Sequence, residues 1–320
     1  MVEHERMQRP STSLAVFLPK PLDEYFVPAL RAALTGRDVR VWPDIGPHGD
    51  IGYALALAPP PGALASLPNL TCIVPIGAGI DHLATDPQLP DVPIIRGVQP
   101  DLVARMVEYV VLGVLQHHRQ ARRYREFQHR CEWRQLVPPA ASERTVGILG
   151  LGTIGRACAQ ALGALGFRLR AWSRTEHVQA GVHCFSGEER LGDFLCGTEI
   201  LVCLLPLTEQ TRGLLNARRL AQLPRGASLI NASRGAIVVD DDLIEALDTG
   251  HLEEATLDAF AVEPLPSSHR YWTHPQVTVT PHVASTVTPT AVASFLQSVL
   301  RRLEAGEALA DLRVDLQRGY

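Results

Sequence analysis

No CxxC pair occurs among the six cysteines of this 320-residue sequence (Cys72, Cys131, Cys158, Cys184, Cys196 and Cys203). Zinc clusters and disulfide frameworks need tighter and more regular spacing, so neither is expected, and no metal site is predicted. Several of these cysteines lie in apolar stretches such as LVCLLP, the pattern of buried free thiols in a reducing cytoplasm. No apolar run is long enough to cross a bilayer. The opening MVEHERMQRP mixes charges and leads into no apolar h-region, so no secretory signal is expected either. Excess charge of one sign is also missing. Lys and Arg number 30 against 34 Asp and Glu, a formal net charge of -4, so nothing suggests a nucleic-acid or membrane-surface binder. There is no short-period repeat and no low-complexity linker. What remains is an ordinary globular composition, 46% hydrophobic and 20% charged, in a chain long enough for two domains with separate cores.

Short apolar runs alternate with helical patterns, which predicts parallel sheets built from βαβ units. In the first third, LAVFLP, YALALA, TCIVPI and PIIRGV read as buried strands, with a helix over 22–35. A longer helix is predicted over 101–127 from the spacing of Val103, Val107, Val110, Val111, Val114 and Leu115. A second strand series runs TVGIL, LRAW, ILVCLL, SLIN, ATLD and VTVT. It is followed by a helical pattern (Val292, Phe295, Leu296, Val299, Leu300, Leu303) ending near Gly306. That last helix is one more than the second series needs, so it is expected to cross back onto the first domain. The predicted architecture is two doubly wound parallel-sheet α/β domains. One is discontinuous and flavodoxin-like, residues 1–103 plus 284–320; the other, residues 104–283, is a Rossmann domain; an active-site cleft is expected between them.

The strand TVGIL runs into Gly150-Leu151-Gly152-Thr153-Ile154-Gly155, after which Ile154 to Leu165 has helical spacing. In that context GxGxxG is a dinucleotide loop. Gly150 makes the tight turn, Gly152 lets backbone approach the pyrophosphate, Gly155 permits close helix–strand packing, and the helix N-terminus holds phosphate oxygens. An NAD site usually carries Asp or Glu at the end of the next strand, to grip the ribose hydroxyls. Here that strand ends Trp172-Ser173-Arg174, and no acidic residue lies between Gly155 and Thr175. A hydroxyl and a guanidinium fork suit a 2′-phosphate instead, so NADPH is the predicted cofactor rather than NADH. Taken alone, Arg174 is also what a solvated loop arginine looks like.

Ligands of doubly wound sheets bind beyond the carboxyl ends of the strands. The residues at those ends form a short set: Ile76-Gly77-Ala78-Gly79, Leu205-Pro206, Asn231-Ala232-Ser233-Arg234-Gly235, Asp258 with Glu263 behind it, and His282. Leu205, Pro206, Ala232 and Ser233 are assigned to the cofactor. An arginine, a glutamate and a histidine suit hydride transfer to a 2-oxo acid. His282 supplies the proton. Glu263 fixes its tautomer and favours the imidazolium. Arg234 holds the substrate carboxylate and polarises the carbonyl. The N–H groups of residues 77–79 offer a second anion contact. Singly, each residue has a plainer reading as a structural histidine, a surface arginine or a loop; their common place beside the glycine loop favours the functional one.

The sequence as a whole resembles the D-isomer-specific 2-hydroxyacid dehydrogenases. The likeness runs through GAGIDHL, MVEYVVLGVL, GILGLGTIG, CLLPLTEQTRGLLN, LINASRGAIVVDDDLIEAL, LDAFAVEPLP and TPHVAST. WSRT together with a C-terminal RGY is most similar to the NADPH-dependent glyoxylate/hydroxypyruvate reductase A subgroup. The resemblance implies Arg234, Glu263 and His282 as catalytic residues, Asp258 near the nicotinamide amide, and the 76–79 turn in carboxylate binding. It also implies a homodimer formed through the nucleotide-binding domains, with the 101–127 helix a candidate contact. Trp42, in VRVWPD, resembles an aromatic that approaches the active site in this subgroup; its other reading is a core tryptophan. The expected function is therefore reduction of glyoxylate or hydroxypyruvate in the cytoplasm. Reduction of bulkier 2-oxo acids is the near alternative, and a cofactor-sensing regulator of the same fold is a more distant one. A formate dehydrogenase would pair its histidine with glutamine, and the chain ends at Tyr320 without room for the regulatory domain common in the phosphoglycerate branch.

Overall fold

The computed structural model describes residues 12–316; the opening MVEHERMQRP and the terminal RGY lie outside the described residues. The chain forms two compact units, Met1–Leu102 with Val287–Tyr320, and Val103–Thr286.

In the first unit, β1 (Ser13–Phe17), β2 (Val39–Val41), β3 (Ile51–Ala56) and β4 (Cys72–Pro75) form one sheet in the order β2-β1-β3-β4, every pair parallel. SLAVF and IGYALA are apolar almost without interruption because a parallel sheet is covered on both faces. One face packs Leu14, Val16, Leu55 and Val74 against α1 (Leu22–Ala33) and the late helix α9 (Pro289–Glu304). The other packs Ala15, Ile51, Ala54 and Ile73 against Leu64, Leu67 and Leu83, the last on α2 (Asp81–Ala84). α9 starts sharply: Thr288 caps it by accepting from the Ala291 N–H, and Pro289 occupies the first turn. Two details differ from the sequence expectation. PIIRGV forms only single bridges, Ile94 to Ile73 and Ile95 to Arg313. Pro93 brings no N–H to a ladder, and at Gly97 the chain passes so close to the Pro75 carbonyl that a Cβ would sit 2.4 Å from its oxygen. β2, in turn, is too short and too polar at Arg40 to stand out as a strand.

The second unit contains β5 (Thr145–Leu149), β6 (Arg168–Ser173), β7 (Val182–Ser186), β8 (Ile200–Cys203), β9 (Ala227–Asn231), β10 (Leu252–Leu257) and β11 (Val277–Val279). Their order is β11-β10-β9-β8-β5-β6-β7, again all parallel. The strand order reverses between β5 and β8, which makes that the switch point of a Rossmann sheet. The fold class read from the sequence, two doubly wound parallel-sheet domains, is the one observed. Helices α3 (Pro100–His118) and α5 (Thr153–Ala164) pack on one face through Met106, Val110, Val114, Cys158 and Leu162. α6 (Leu191–Leu195), α7 (Ala217–Leu220) and α8 (Asp240–Asp248) cover the other. Gly113 lets α3 lie close to the sheet, since a Cβ there would come within 3.0 Å of Ile230 Cδ1. The helix predicted over 101–127 is two: α3 ends at His118, Gln120 takes a left-handed turn (φ 56°), and α4 (Ala121–His129) follows. Such turns usually announce themselves with Gly or Asn, and Gln120 gives no such signal. β7, an edge strand of alternating polarity (VHCFS), was also not apparent.

Candidate active site

The histidine is positioned by the strand ends of the second unit. After β11, Thr280-Pro281 leads into His282, which sits in the left-handed region (φ 54°) and donates its backbone N–H to the Asp258 carbonyl at 2.8 Å. The Asp258 carboxylate, just past β10, accepts from the N–H groups of Val283 (2.9 Å) and Ala284 (2.8 Å). The side chain of His282 is thereby presented to Glu263: Nδ1 to Oε2 is 2.8 Å. Glu263 is itself oriented, because its other oxygen accepts the Phe260 N–H at 2.9 Å.

This geometry explains how both groups titrate. The hydrogen bond to Glu263 is the largest influence on His282 and holds its pKa above the usual imidazole value; burial and the Arg234 charge oppose, while the charges of Glu263 and Asp258 assist. Burial pushes Glu263 upward, but the hydrogen bonds from His282 and the Phe260 N–H, with the charges of His282 and Arg234, outweigh it and leave the carboxyl below its ordinary value. Each member of the pair thus favours the charged form of the other. With Nδ1 engaged, Nε2 is the nitrogen left to exchange a proton. At 44% exposure the His282 side chain is open to a ligand.

Arg234 follows β9 in extended conformation. Its loop is held by Asn231, fully buried at the strand end, whose amide donates to the Arg234 carbonyl (3.1 Å) and accepts from the Ser233 N–H and hydroxyl. Gly235 then meets the Phe260–Ala261 backbone so closely that a Cβ would lie 1.9 Å from Phe260 C. Only glycine lets the arginine loop and the glutamate loop pack this way. Ser233 is buried, and its oxygen lies 3.3 Å from Cys203 Sγ.

The glycine loop lies at the switch point. Gly150 has φ +103°, and a Cβ there would crowd the Leu204 carbonyl at 3.0 Å; a Cβ on Gly155 would sit 1.9 Å from the Gly150 oxygen. Both glycines are required by the protein's own packing. Gly152 is different: its backbone (φ -76°, ψ -163°) suits any residue, and nothing lies within 4 Å of its Cβ position. The space beside it is that of a cradle for a group approaching the start of α5, which fits a dinucleotide pyrophosphate. Leu151 and Leu205 are buried beside it, and Pro206 accepts from the Thr211 hydroxyl.

At the end of β6, Ser173 is buried and donates its hydroxyl to the Thr175 carbonyl (2.8 Å), while Arg174 is exposed. Their loop is pinned to α5 by Arg156, which donates to His177 Nδ1 (3.0 Å) and the Val178 carbonyl (3.3 Å). Ile76–Gly79 lie in the first unit, directly after β4, with Ile76 buried and its N–H bonded to the Ala56 carbonyl. Trp42, also there, stacks on Phe17 with ring centres 5.2 Å apart. Among the described residues, no group of three or more His, Cys, Asp or Glu side chains is arranged to hold a metal, and no helix is long and apolar enough to cross a membrane.

Residues 111–284 match the family model of the D-isomer specific 2-hydroxyacid dehydrogenase NAD binding domain. The chain belongs to that family. Among curated members, a glyoxylate/hydroxypyruvate reductase A of Serratia proteamaculans is 39% identical over 93% of this chain and 96% of its own length. A Xanthobacter autotrophicus dehydrogenase, crystallised with NADPH and MES, superposes with a TM-score of 0.92 at 43% identity, over 97% of this chain and all of that one. An NADPH-dependent glyoxylate/hydroxypyruvate reductase of Sinorhizobium meliloti, crystallised with NADP and sulfate, gives 0.90 at 39% identity, over 96% of this chain and all of that one. The 2-hydroxyacid dehydrogenase resemblance read from the motifs is thus correct. Arg156 and His177, around Arg174, carried no signal of their own in the sequence, and Asn231 and Gly235, though in the strand-end set, gave no sign that they hold the Arg234 loop. Each acts through a contact formed only by folding.

Proposed function

We propose that this protein is a cytoplasmic, homodimeric reductase that converts glyoxylate, hydroxypyruvate and similar short 2-oxo acids to D-2-hydroxy acids with NADPH. The observation that carries this reading is the 2.8 Å His282–Glu263 pair, next to Arg234 in the unit that holds the glycine loop. The names of the curated relatives and the nicotinamide cofactors in the related crystals support the substrate class and the choice of cofactor.

NADPH supplies the hydride. Residues 150–155, with Leu205, Pro206, Ala232, Ser233 and Asp258, would hold its diphosphate and nicotinamide ends, and Arg174 would meet the 2′-phosphate. Ser173 already donates to Thr175, so the guanidinium is the stronger phosphate ligand of the two. His282 enters as imidazolium and gives its Nε2 proton to the carbonyl oxygen as negative charge develops there. Glu263 holds the ring through Nδ1 and stabilises the cation before transfer. Arg234 binds the substrate carboxylate and draws charge from the carbonyl. In the same reading the 76–79 turn contributes N–H groups to the carboxylate.

The dimer reading follows from the family resemblance and from exposed apolar residues of the second unit. Leu112, Tyr124, Trp133 and Val137 are large, apolar and exposed, and Tyr124, Phe127 and Trp133 line a cavity of about 580 Å³. An apolar surface of this kind marks an interface.

Replacement of His282 by alanine tests the mechanism. Turnover should drop by roughly 10²- to 10⁴-fold, the usual contribution of a positioned acid–base group, while NADPH titrated into the protein binds as before. Undiminished turnover would remove His282 from the mechanism.

A further inference from the structure

Tyr109 lies 171 residues from Thr280 in sequence, on the sheet-facing side of α3, yet its hydroxyl is 2.7 Å from Thr280 Oγ1. Thr280 Oγ1 is in turn 2.6 Å from Asp258 Oδ1. The direction of these bonds follows from chemistry. An ionised carboxylate only accepts, so Thr280 must donate its single proton to Asp258, and Tyr109 must therefore donate to Thr280. Burial pushes the Tyr109 phenol up to about 12, against the opposing hydrogen bond to Thr280 and with help from the Asp258 charge. It thus keeps its proton at any pH at which the protein works.

Asp258 is almost wholly buried. A carboxylate has about four acceptor positions. Oδ1 takes Thr280 and the Val283 N–H; Oδ2 takes the Ala284 N–H. One position remains on Oδ2, enough for the nicotinamide amide contact that the family resemblance implies. The other three bonds all tie down the segment 280–284, whose centre is His282 in a left-handed conformation that an L-residue adopts at a cost.

We propose that Tyr109 and Thr280 are positioning residues for the reacting histidine: their hydroxyls form a one-way relay that fixes the Asp258 carboxylate, which holds the left-handed turn at His282. The relay continues a buried polar stripe. Glu254 and Thr256 lie on one face of β10, with Asp258 continuing that alternation just past its end; His117, two turns beyond Tyr109 on α3, has Nδ1 2.7 Å from Glu254 Oε1 and hydrogen-bonds Thr256 through Nε2 (3.0 Å). Apolar residues would fill this interface at least as stably. Hydrogen bonds add what they lack: they fix where α3 lies along the strand, and so where the Tyr109 hydroxyl falls against Thr280.

The inference rests on His282 as the proton donor, so its test has one arm that does not depend on catalysis. Tyr109→Phe, Thr280→Val and Thr280→Ser are compared with wild type for amide hydrogen exchange at Val283 and Ala284, for kcat and KM with glyoxylate, and for thermal midpoint. Loss of the phenol hydrogen bond should speed exchange at both amides roughly three- to ten-fold and lower kcat by a similar factor. KM and NADPH affinity should stay within about twofold, because no ligand contact is removed. Thr280→Val should behave like Tyr109→Phe or worse, and Thr280→Ser, which keeps the hydroxyl, should restore both values. Unchanged exchange and kcat in folded Tyr109→Phe protein would overturn the relay, as would equal losses in Thr280→Ser and Thr280→Val. If no variant, wild type included, reduces a 2-oxo acid, the proposed function fails, and the exchange rates alone decide the relay.

Discussion

His282 and Glu263 titrate in opposite directions from their ordinary values, and the signs give distinct consequences. In the proposed reaction reduction uses the imidazolium, so turnover should hold at lower pH and decline as pH rises through the raised His282 value, above the usual imidazole pKa of about 6.5. Glu263→Gln removes the largest cause of that rise. Its alkaline limb should move down toward the ordinary value, and kcat at neutral pH should fall; an unmoved limb in a pH–rate series would show that Glu263 does not set the histidine. The pair also links stability to pH. Its contribution is lost as pH rises through the His282 value and, at the other end, as pH falls through the depressed Glu263 value. Both side chains are more than a third exposed, so this stability effect is small. At the cofactor end, Arg174→Ala should weaken NADPH binding by roughly 10- to 100-fold, the worth of a charge-assisted hydrogen bond, and barely change NADH binding. Calorimetric titration of both cofactors checks this, and equal weakening of the two would contradict a 2′-phosphate contact.

At the scale of elements, the glycine loop separates packing from ligand binding. Gly155→Ala forces a Cβ against the Gly150 oxygen and should lower stability by about 1–3 kcal/mol. Gly152→Ala has open space around it and should leave the melting temperature of the cofactor-free protein unchanged while weakening NADPH binding. A stability loss in Gly152→Ala equal to that in Gly155→Ala would contradict this division. The same contrast marks what was legible beforehand. SLAVF, IGYALA and TVGIL are buried on both faces and read as strands on sight, whereas β2 and β7 carry Arg40 and His183 and did not. The α3–α4 break was hidden because Gln120, not glycine, takes the positive φ. Arg234, Glu263 and His282 stood out because polar residues beyond strand ends are few. Asn231 and Gly235 were visible in the same loop without revealing that they hold it, and Tyr109 gave no sign, because its partner is 171 residues away.

For the whole molecule, the composition permitted two cores, and each observed unit has a buried cluster on either face of its own sheet. The exposed apolar surface at Trp133 and Val137 has no counterpart in that internal packing. If the proposed dimer forms through this surface, Trp133→Ala with Val137→Ser should shift it toward monomer in sedimentation velocity; an unshifted dimer would place the interface elsewhere, and a monomeric wild-type protein would contradict the dimer. The most direct measurement is steady-state loss of NADPH absorbance with glyoxylate, hydroxypyruvate, pyruvate and phenylpyruvate, each repeated with NADH. Rapid turnover of the two small acids with NADPH, and much slower turnover with NADH, is the expected result. Binding of NADPH without turnover of any 2-oxo acid would contradict the proposed reductase activity.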